Sequence, residues 1–341
     1  MAPAPSSRQR PAWPQVRLHV ITGKGGTGKT TAACALALTL AGQGRKVLLA
    51  EVEARQGISQ TLDVPPLPNT ETMVTRVAGG GELWGISVDP KASLMEYLDL
   101  FYHLGRAGKA LEKMGAIDFA TTIAPGVRDV LSIGKVYDAT RRQGERPRPD
   151  GSPDWAYDTV VLDAPPTGRV TRFLNVTDEV ADLAKVGPIR SQANSVTAML
   201  TSGTSVVHVV TLLEEMPVQE ASDAIGELRD VGIPVGAVIV NQARDPLLSE
   251  ECLDQAEAGQ LDLEFLAAQL GKVGVPNDEQ IVRGLAEEAK AHAERMSLEG
   301  EQLAVVEGLG LPVLMLPVVP EGVDASTVRE IAHSLATQAD W

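Results

Sequence analysis

The chain is 341 residues long, carries 45 Asp and Glu against 30 Lys and Arg for a net charge of −15, and contains two cysteines. A fold of this length buries about three quarters of its unfolded surface without covalent staples, and Cys34 and Cys252 alone build neither a disulfide framework nor a four-thiolate zinc site. The acidic balance argues against a nucleic-acid partner, and no run of about 18 apolar residues exists to span a membrane, so a protein of the reducing cytoplasm is expected.

Residues 1–15 read as a disordered tail, with arginines and prolines but no apolar signal core; a transit peptide is the alternative. The apolar run Leu18–Ile21 predicts a buried strand, and the stretch from Thr30 to Leu38 predicts the first turns of a helix. Between them lies G-x-x-x-x-G-K-[ST], formed by Gly23, Gly28, Lys29 and Thr30. Glycines let the backbone curl so that successive N–H groups face one phosphate at the positive end of the helix. Gly23, Gly25, Gly26, Thr27, Gly28, Lys29, Thr30 and Thr31 are the expected ATP-binding residues. Lys29 is expected to reach the β and γ phosphates, and the Thr30 hydroxyl to take a place on Mg²⁺.

Lys24 stands where the general pattern accepts almost any residue. With it, the stretch GKGGTGKT resembles the deviant P-loop of the dimeric switch ATPases. These include arsenite-pump ATPases, tail-anchored-protein targeting ATPases, nitrogenase iron protein, and the Min and partition ATPases. The resemblance implies that Lys24 reaches across a dimer interface to the partner's phosphates, adding a catalytic cation to Lys29. A solvated loop lysine is the plainer reading.

Gly42 to Gly44 stops the first helix, and Arg45–Ala50 predicts a second buried strand. Its carboxyl end carries Glu51 and Glu53, where ligands of open α/β sheets bind. The resembling ATPases place an Asp-Pro-Ala-His switch here, and ungapped counting puts its aspartate on Glu53 in Glu53-Ala-Arg-Gln. Glu53 is the expected base or water-orienting group, with slow or altered hydrolysis because its stem is longer. Solvated loop acids are the alternative for Glu53 and Glu51 alike.

Residues 54–81 read as loop around at most a short helix, and Leu83–Val88 as a strand. Residues 91–142 read as helical, with a new helix starting at Pro125-Gly126; the resemblance places a client- or metal-facing layer there. Met95, Leu111, Met114, Phe119 and Ile123 are apolar in this span, a pattern more often core than groove. Residues 141–154 read as an exposed, arginine-bearing loop.

Val160–Leu162 predicts a buried strand ending in Asp163, which fits a Walker B carboxylate acting on Mg²⁺. The segment from Asp163 to Gly168 resembles the Asp-Thr-Ala-Pro-Thr-Gly-His switch of the same ATPases, with Ala164, Pro165 and Arg169 departing from it. The Gly168 N–H is expected to contact the γ-phosphate and to release the following helix when that phosphate leaves. Ser205–Thr211 predicts a strand in which His208 is a buried or edge histidine, and a helix follows through Pro217. Asn241 ends the strand from Val235, and the resemblance assigns it an adenine contact; capping a turn is the alternative.

Residues 247–306 read as acidic amphipathic helices broken at Gly274-Val-Pro-Asn, with their charge on a solvated face. Leu311–Val323 is a strand and loop similar to the family's base-bordering loop, and 325–338 a closing helix.

The expected fold is one α/β domain over residues 16–341: a doubly wound, mostly parallel sheet with helical insertions at about 91–142 and 247–306. The resemblance is closest to the arsenite-pump and targeting ATPases. It implies an ATP-hydrolysing switch that dimerises with itself or a related ATPase subunit and handles a hydrophobic client or membrane transport partner. The alternatives are the energising subunit of an anion pump and a weakly catalytic assembly subunit. Arsenite itself calls for clustered thiolates, which Cys34 and Cys252 are badly placed to supply.

Overall fold

The structure, a computed structural model, describes residues 11–53, 55–93, 95, 125–144, 154–175, 188–320 and 322–341. Residues 1–10, most of the helical span after Met95 and the centre of the 141–154 loop lie outside the described residues, and with them Leu111, Met114, Phe119 and Ile123.

Near-continuous apolar runs form the central strands Leu18–Gly23 (β1), Lys46–Glu51 (β2), Thr159–Asp163 (β5) and Ser205–Thr211 (β6), as strands covered on both faces require. Thr72–Arg76 (β3), Glu82–Ser87 (β4), Val235–Ala243 (β7) and Val313–Pro317 (β8) complete one sheet of order β3-β4-β2-β5-β1-β6-β7-β8. Only the β3–β4 pair is antiparallel among these. The doubly wound, mostly parallel α/β sheet is therefore as expected, but β3 corrects the reading of 54–81 as loop. Its side chains are exposed or half-buried and it borders only β4, so no apolar run announces it.

The described helices are Lys29–Gly42 (α1), Gly57–Leu62 (α2), Pro125–Arg141 (α3), Thr167–Leu174 (α4) and Pro188–Leu200 (α5). Glu215–Asp230 (α6), Glu250–Glu257 (α7), Leu263–Lys272 (α8), Glu279–Gly308 (α9) and Ala325–Gln338 (α10) follow. The period of two sorts strand side chains to opposite faces: Leu18 and Val20 join Leu48, Leu162 and Phe173, while Ile21 joins Leu36, Leu49 and Ile331. Helix α1 is apolar all round and buried from Ala32 to Ala41; its Thr39 hydroxyl donates to the Ala332 carbonyl, tying it to α10. Among the described residues no helix is long and apolar enough to cross a membrane.

His208 has no His or Cys beside it in sequence, but the β1–β6 pairing supplies one. His19 Nδ1 lies 3.0 Å from His208 Nε2, with both rings fully buried against Trp13 and Trp341. His19 Nε2 and His208 Nδ1 are buried without a hydrogen-bond partner. Burial holds both rings neutral, pushing His19 well below the usual imidazole range and His208 down to about 3. The unfolded chain binds protons from about pH 6.5 downward and the folded one does not, so stability falls as pH drops below that value. For His208 alone the loss is about 2 kcal/mol by pH 5. Urea midpoints at pH 7 and 5 should show this drop, and a His208→Leu variant should reduce it, leaving the part due to His19.

Candidate active site

The carboxyl ends of β1, β5, β6 and β7 converge, and the three sequence motifs meet there. In the register of the sheet Ile21 lies beside Asp163, and Gly23 beside Val210. A Cβ on Gly23 would stand 2.2 Å from the Val210 carbonyl oxygen, so only glycine lets β1 close against β6 at this point. Gly28 precedes α1 in the left-handed conformation (φ 87°), and a Cβ there would meet Asn241 Nδ2 at 2.1 Å. The Thr27 hydroxyl donates to the Lys24 carbonyl at 2.9 Å and closes the loop on itself.

This loop fits a phosphate. Gly28 offers α1 no side-chain cap and the first turn holds no acid, leaving the helix's N-terminal N–H groups and Lys29 for an anion. Gly25 and Gly26 are exposed, with no heavy atom within 4 Å of an added Cβ. The residue pair assigned to a metal also fits. Thr30 Oγ1 donates to Asp163 Oδ2 at 2.7 Å, bringing hydroxyl and carboxylate to one point. Burial raises the Asp163 carboxyl to about 6, while the Thr30 hydrogen bond and nearby Lys29 pull it back down. A cation at this point would favour the ionised form.

The remaining candidates sit around this centre. Thr22 donates to the Pro165 carbonyl at 2.8 Å and fixes the start of the segment after β5 to β1. Gly168 lies exposed in the first turn of α4, with open space on its Cβ side. Lys24 Nζ pairs with Glu220 Oε1 at 2.9 Å, and the Thr167 hydroxyl donates to the other oxygen of that carboxylate at 3.3 Å. Glu220, on α6, thus joins Lys24 of the glycine loop to the segment after β5, a link that no motif marks in the sequence.

The family described as anion-transporting ATPase matches residues 16–203, more than half of the chain. The chain is 46% identical over 330 residues to ATPase BagA of Mycobacterium tuberculosis, covering 96% of itself and 95% of that protein. It is 25% identical over 258 residues to ATPase GET3 of Kluyveromyces lactis, covering 65% of itself and 70% of that protein. The ATPase ASNA1 homolog of Entamoeba dispar is 24% identical over 320 residues, with 78% and 89% covered.

The chain belongs to the anion-transporting ATPase family.

It is an ATPase, and its two departures from the family's switch motifs touch one another. Glu53, in place of the switch aspartate, lies 3.5 Å from Arg169, which stands where the second motif has histidine. Arg55 approaches the same carboxylate at 3.7 Å. Glu53 is therefore not the solvated loop acid of the plainer reading: its side chain is 19% exposed and bridges the segments that follow β2 and β5. Glu51 is not a solvated acid either. It is buried, and its carboxylate accepts from Gln56 N at 3.0 Å, Ile58 N at 3.3 Å and the Ser87 hydroxyl at 2.7 Å, which anchors the entry to α2. Asn241 is 7% exposed and donates its amide to the Thr27 carbonyl at 2.9 Å, so its nitrogen supports the phosphate loop. Cys34 is fully buried in α1, where burial pushes its thiol up, and Cys252 is exposed on α7. An inert thiol inside a helix is no soft-metal ligand.

Proposed function

We propose that this ATPase is a dimeric switch in which hydrolysis releases the segment from Asp163 to Gly168 and changes what the chain holds. The observation that carries the reading is the pair of ties between the P-loop and that segment: Thr30 to Asp163, and Lys24 through Glu220 to Thr167. Nucleotide phosphates bind to the backbone of Gly25 to Thr31, with Lys29 on the β and γ groups. The Asn241 carbonyl oxygen is left to face the base while its nitrogen braces the loop. Thr30 and Asp163 would hold Mg²⁺, which when bound neutralises charge developing on the phosphate oxygens. Glu53 accepts the proton of the attacking water and the Gly168 N–H senses the γ-phosphate.

Lys24 leaves Glu220 to meet the partner's phosphates, so breaking one tie accompanies assembly. Both side chains of that pair are about one-third exposed, and such a pair contributes at most about 1 kcal/mol, little against the electrostatic gain in a closed site. The dimer forms with a second copy or a related subunit, and the altered segment acts on a client or transport partner. Concentration-dependent ATP turnover tests the reading; a rate per chain that stays constant on dilution would overturn it.

Glu53→Gln keeps the shape of the side chain and removes its basicity, so turnover should fall by about 10²-fold with nucleotide affinity unchanged. Unchanged turnover would instead remove Glu53 from the chemistry and leave the Glu53–Arg169 pair as a join between the two segments.

A further inference from the structure

The acidic region after β7 is largely exposed, as its charge leads one to expect, and its apolar side chains are exposed with it. Helix α9 is 30 residues and about 45 Å long. Its last turns pack with Val306 in the core, and α7 and α8 pack against it as an arm. That arm buries little of itself. Ala256 is the one buried residue of α7, α8 has none, and the first half of α9 adds Val282 and Ala293. Twelve large apolar side chains are exposed among the described residues, and six of them crowd into the α8–α9 hairpin: Leu263, Phe265, Val273, Val275, Ile281 and Leu285. Phe265 is 57% and Val273 72% exposed, and Ile281 and Leu285 are one turn apart on α9. Singly exposed apolar residues are ordinary, but half of the large ones exposed among the described residues fall within residues 263–285.

Charge decides what covers it. Residues 250–290 hold ten acids against three Lys or Arg, and Asp262, Glu264, Glu279, Glu287 and Glu288 are exposed on the same hairpin. A second copy docking here through a two-fold axis would oppose like charges, and an anionic lipid surface would be repelled in the same way. Helix α8 packs on α9, as α7 does, yet buries none of its own side chains, and an added helix would cover its unburied apolar residues. We infer that the α8–α9 hairpin is a docking site for a basic amphipathic helix of a partner protein, whose apolar stripe covers Phe265 and Leu285 and whose flanking Lys and Arg meet the acids.

The test uses the full chain and two synthetic helical peptides of about 18 residues, one Leu/Lys and one Leu/Glu, read by fluorescence anisotropy. The Leu/Lys peptide should bind about tenfold or more tighter than its acidic counterpart. A Phe265→Ser/Leu285→Ser variant, which keeps the net charge, should lose about tenfold in affinity with ATP turnover and helical circular dichroism intact. Undiminished binding to this variant would reduce the effect to bulk charge and overturn the inference, as would equal binding of both peptides or of neither. Sedimentation of the wild type as an oligomer that the double variant dissolves would also overturn it, assigning the hairpin to self-association.

Discussion

Lys29→Ala should lower ATP turnover by about 10²–10³-fold, the effect of removing one preorganised charge from a site that stabilises developing phosphate charge. Lys29 is the first residue of α1, directly after the left-handed Gly28, so the backbone that shapes the loop also aims this cation into it. Its field also reaches Asp163, where it is one of the influences holding the carboxyl down against burial. The substitution therefore acts twice, removing the phosphate's counter-charge and pushing the Asp163 carboxyl further up, away from the ionised form a metal needs. Part of the loss should appear as weaker nucleotide binding, because the lysine faces the phosphates before and during the reaction; the larger part should appear in kcat. A Thr30→Ser variant keeps the hydroxyl that bonds Asp163 and should stay close to wild type. Turnover by Lys29→Ala within about threefold of wild type would remove the P-loop from the catalytic account.

The centre of this site was legible because its parts are local in sequence. A strand, a glycine loop and a helix lie within residues 18–42, and the rule that ligands gather at strand carboxyl ends places Asp163 and Asn241 beside them without coordinates. The less legible features depend on pairing across the fold. Glu220 is an ordinary helical glutamate until the packing of α6 brings it to Lys24 and Thr167. Glu53 and Arg169 read as two separate departures from a motif, while the structure makes them neighbours. His19 and His208 become a pair only because β1 and β6 are adjacent. Helix α8 reads only as part of an acidic amphipathic region, and the sequence does not show that none of its residues is buried although it packs on α9. The edge strand β3 escaped because its side chains all remain near solvent and Gly79 and Gly80 just after it read as loop.

Lys24→Ala should reduce turnover by up to about 10³-fold while leaving nucleotide binding to the isolated chain unchanged, if the cation acts in trans as arginine fingers do. In the single chain Lys24 is held 2.9 Å from Glu220, beside its own P-loop. That arrangement supplies a resting partner for the amine, and under the trans mechanism activity is expected to fall at low concentration. Glu220→Gln keeps a hydrogen-bonding group near Thr167 but frees the lysine, so the concentration giving half-maximal turnover should fall by up to about fivefold, the equivalent of about 1 kcal/mol. Mixing two inactive variants separates trans from cis action. In a mixed dimer of Lys24→Ala and Lys29→Ala chains, the site on the first chain retains its own Lys29 and receives Lys24 from the second. Random pairing of equal amounts makes half the dimers mixed, each with one complete site, so roughly a quarter of wild-type turnover should return. If Lys24 serves its own site, neither chain contains a complete set and mixing restores nothing. A Lys24→Ala chain that stays inactive with Lys29→Ala but gains turnover from a related wild-type subunit would keep the trans mechanism and make the dimer a heterodimer.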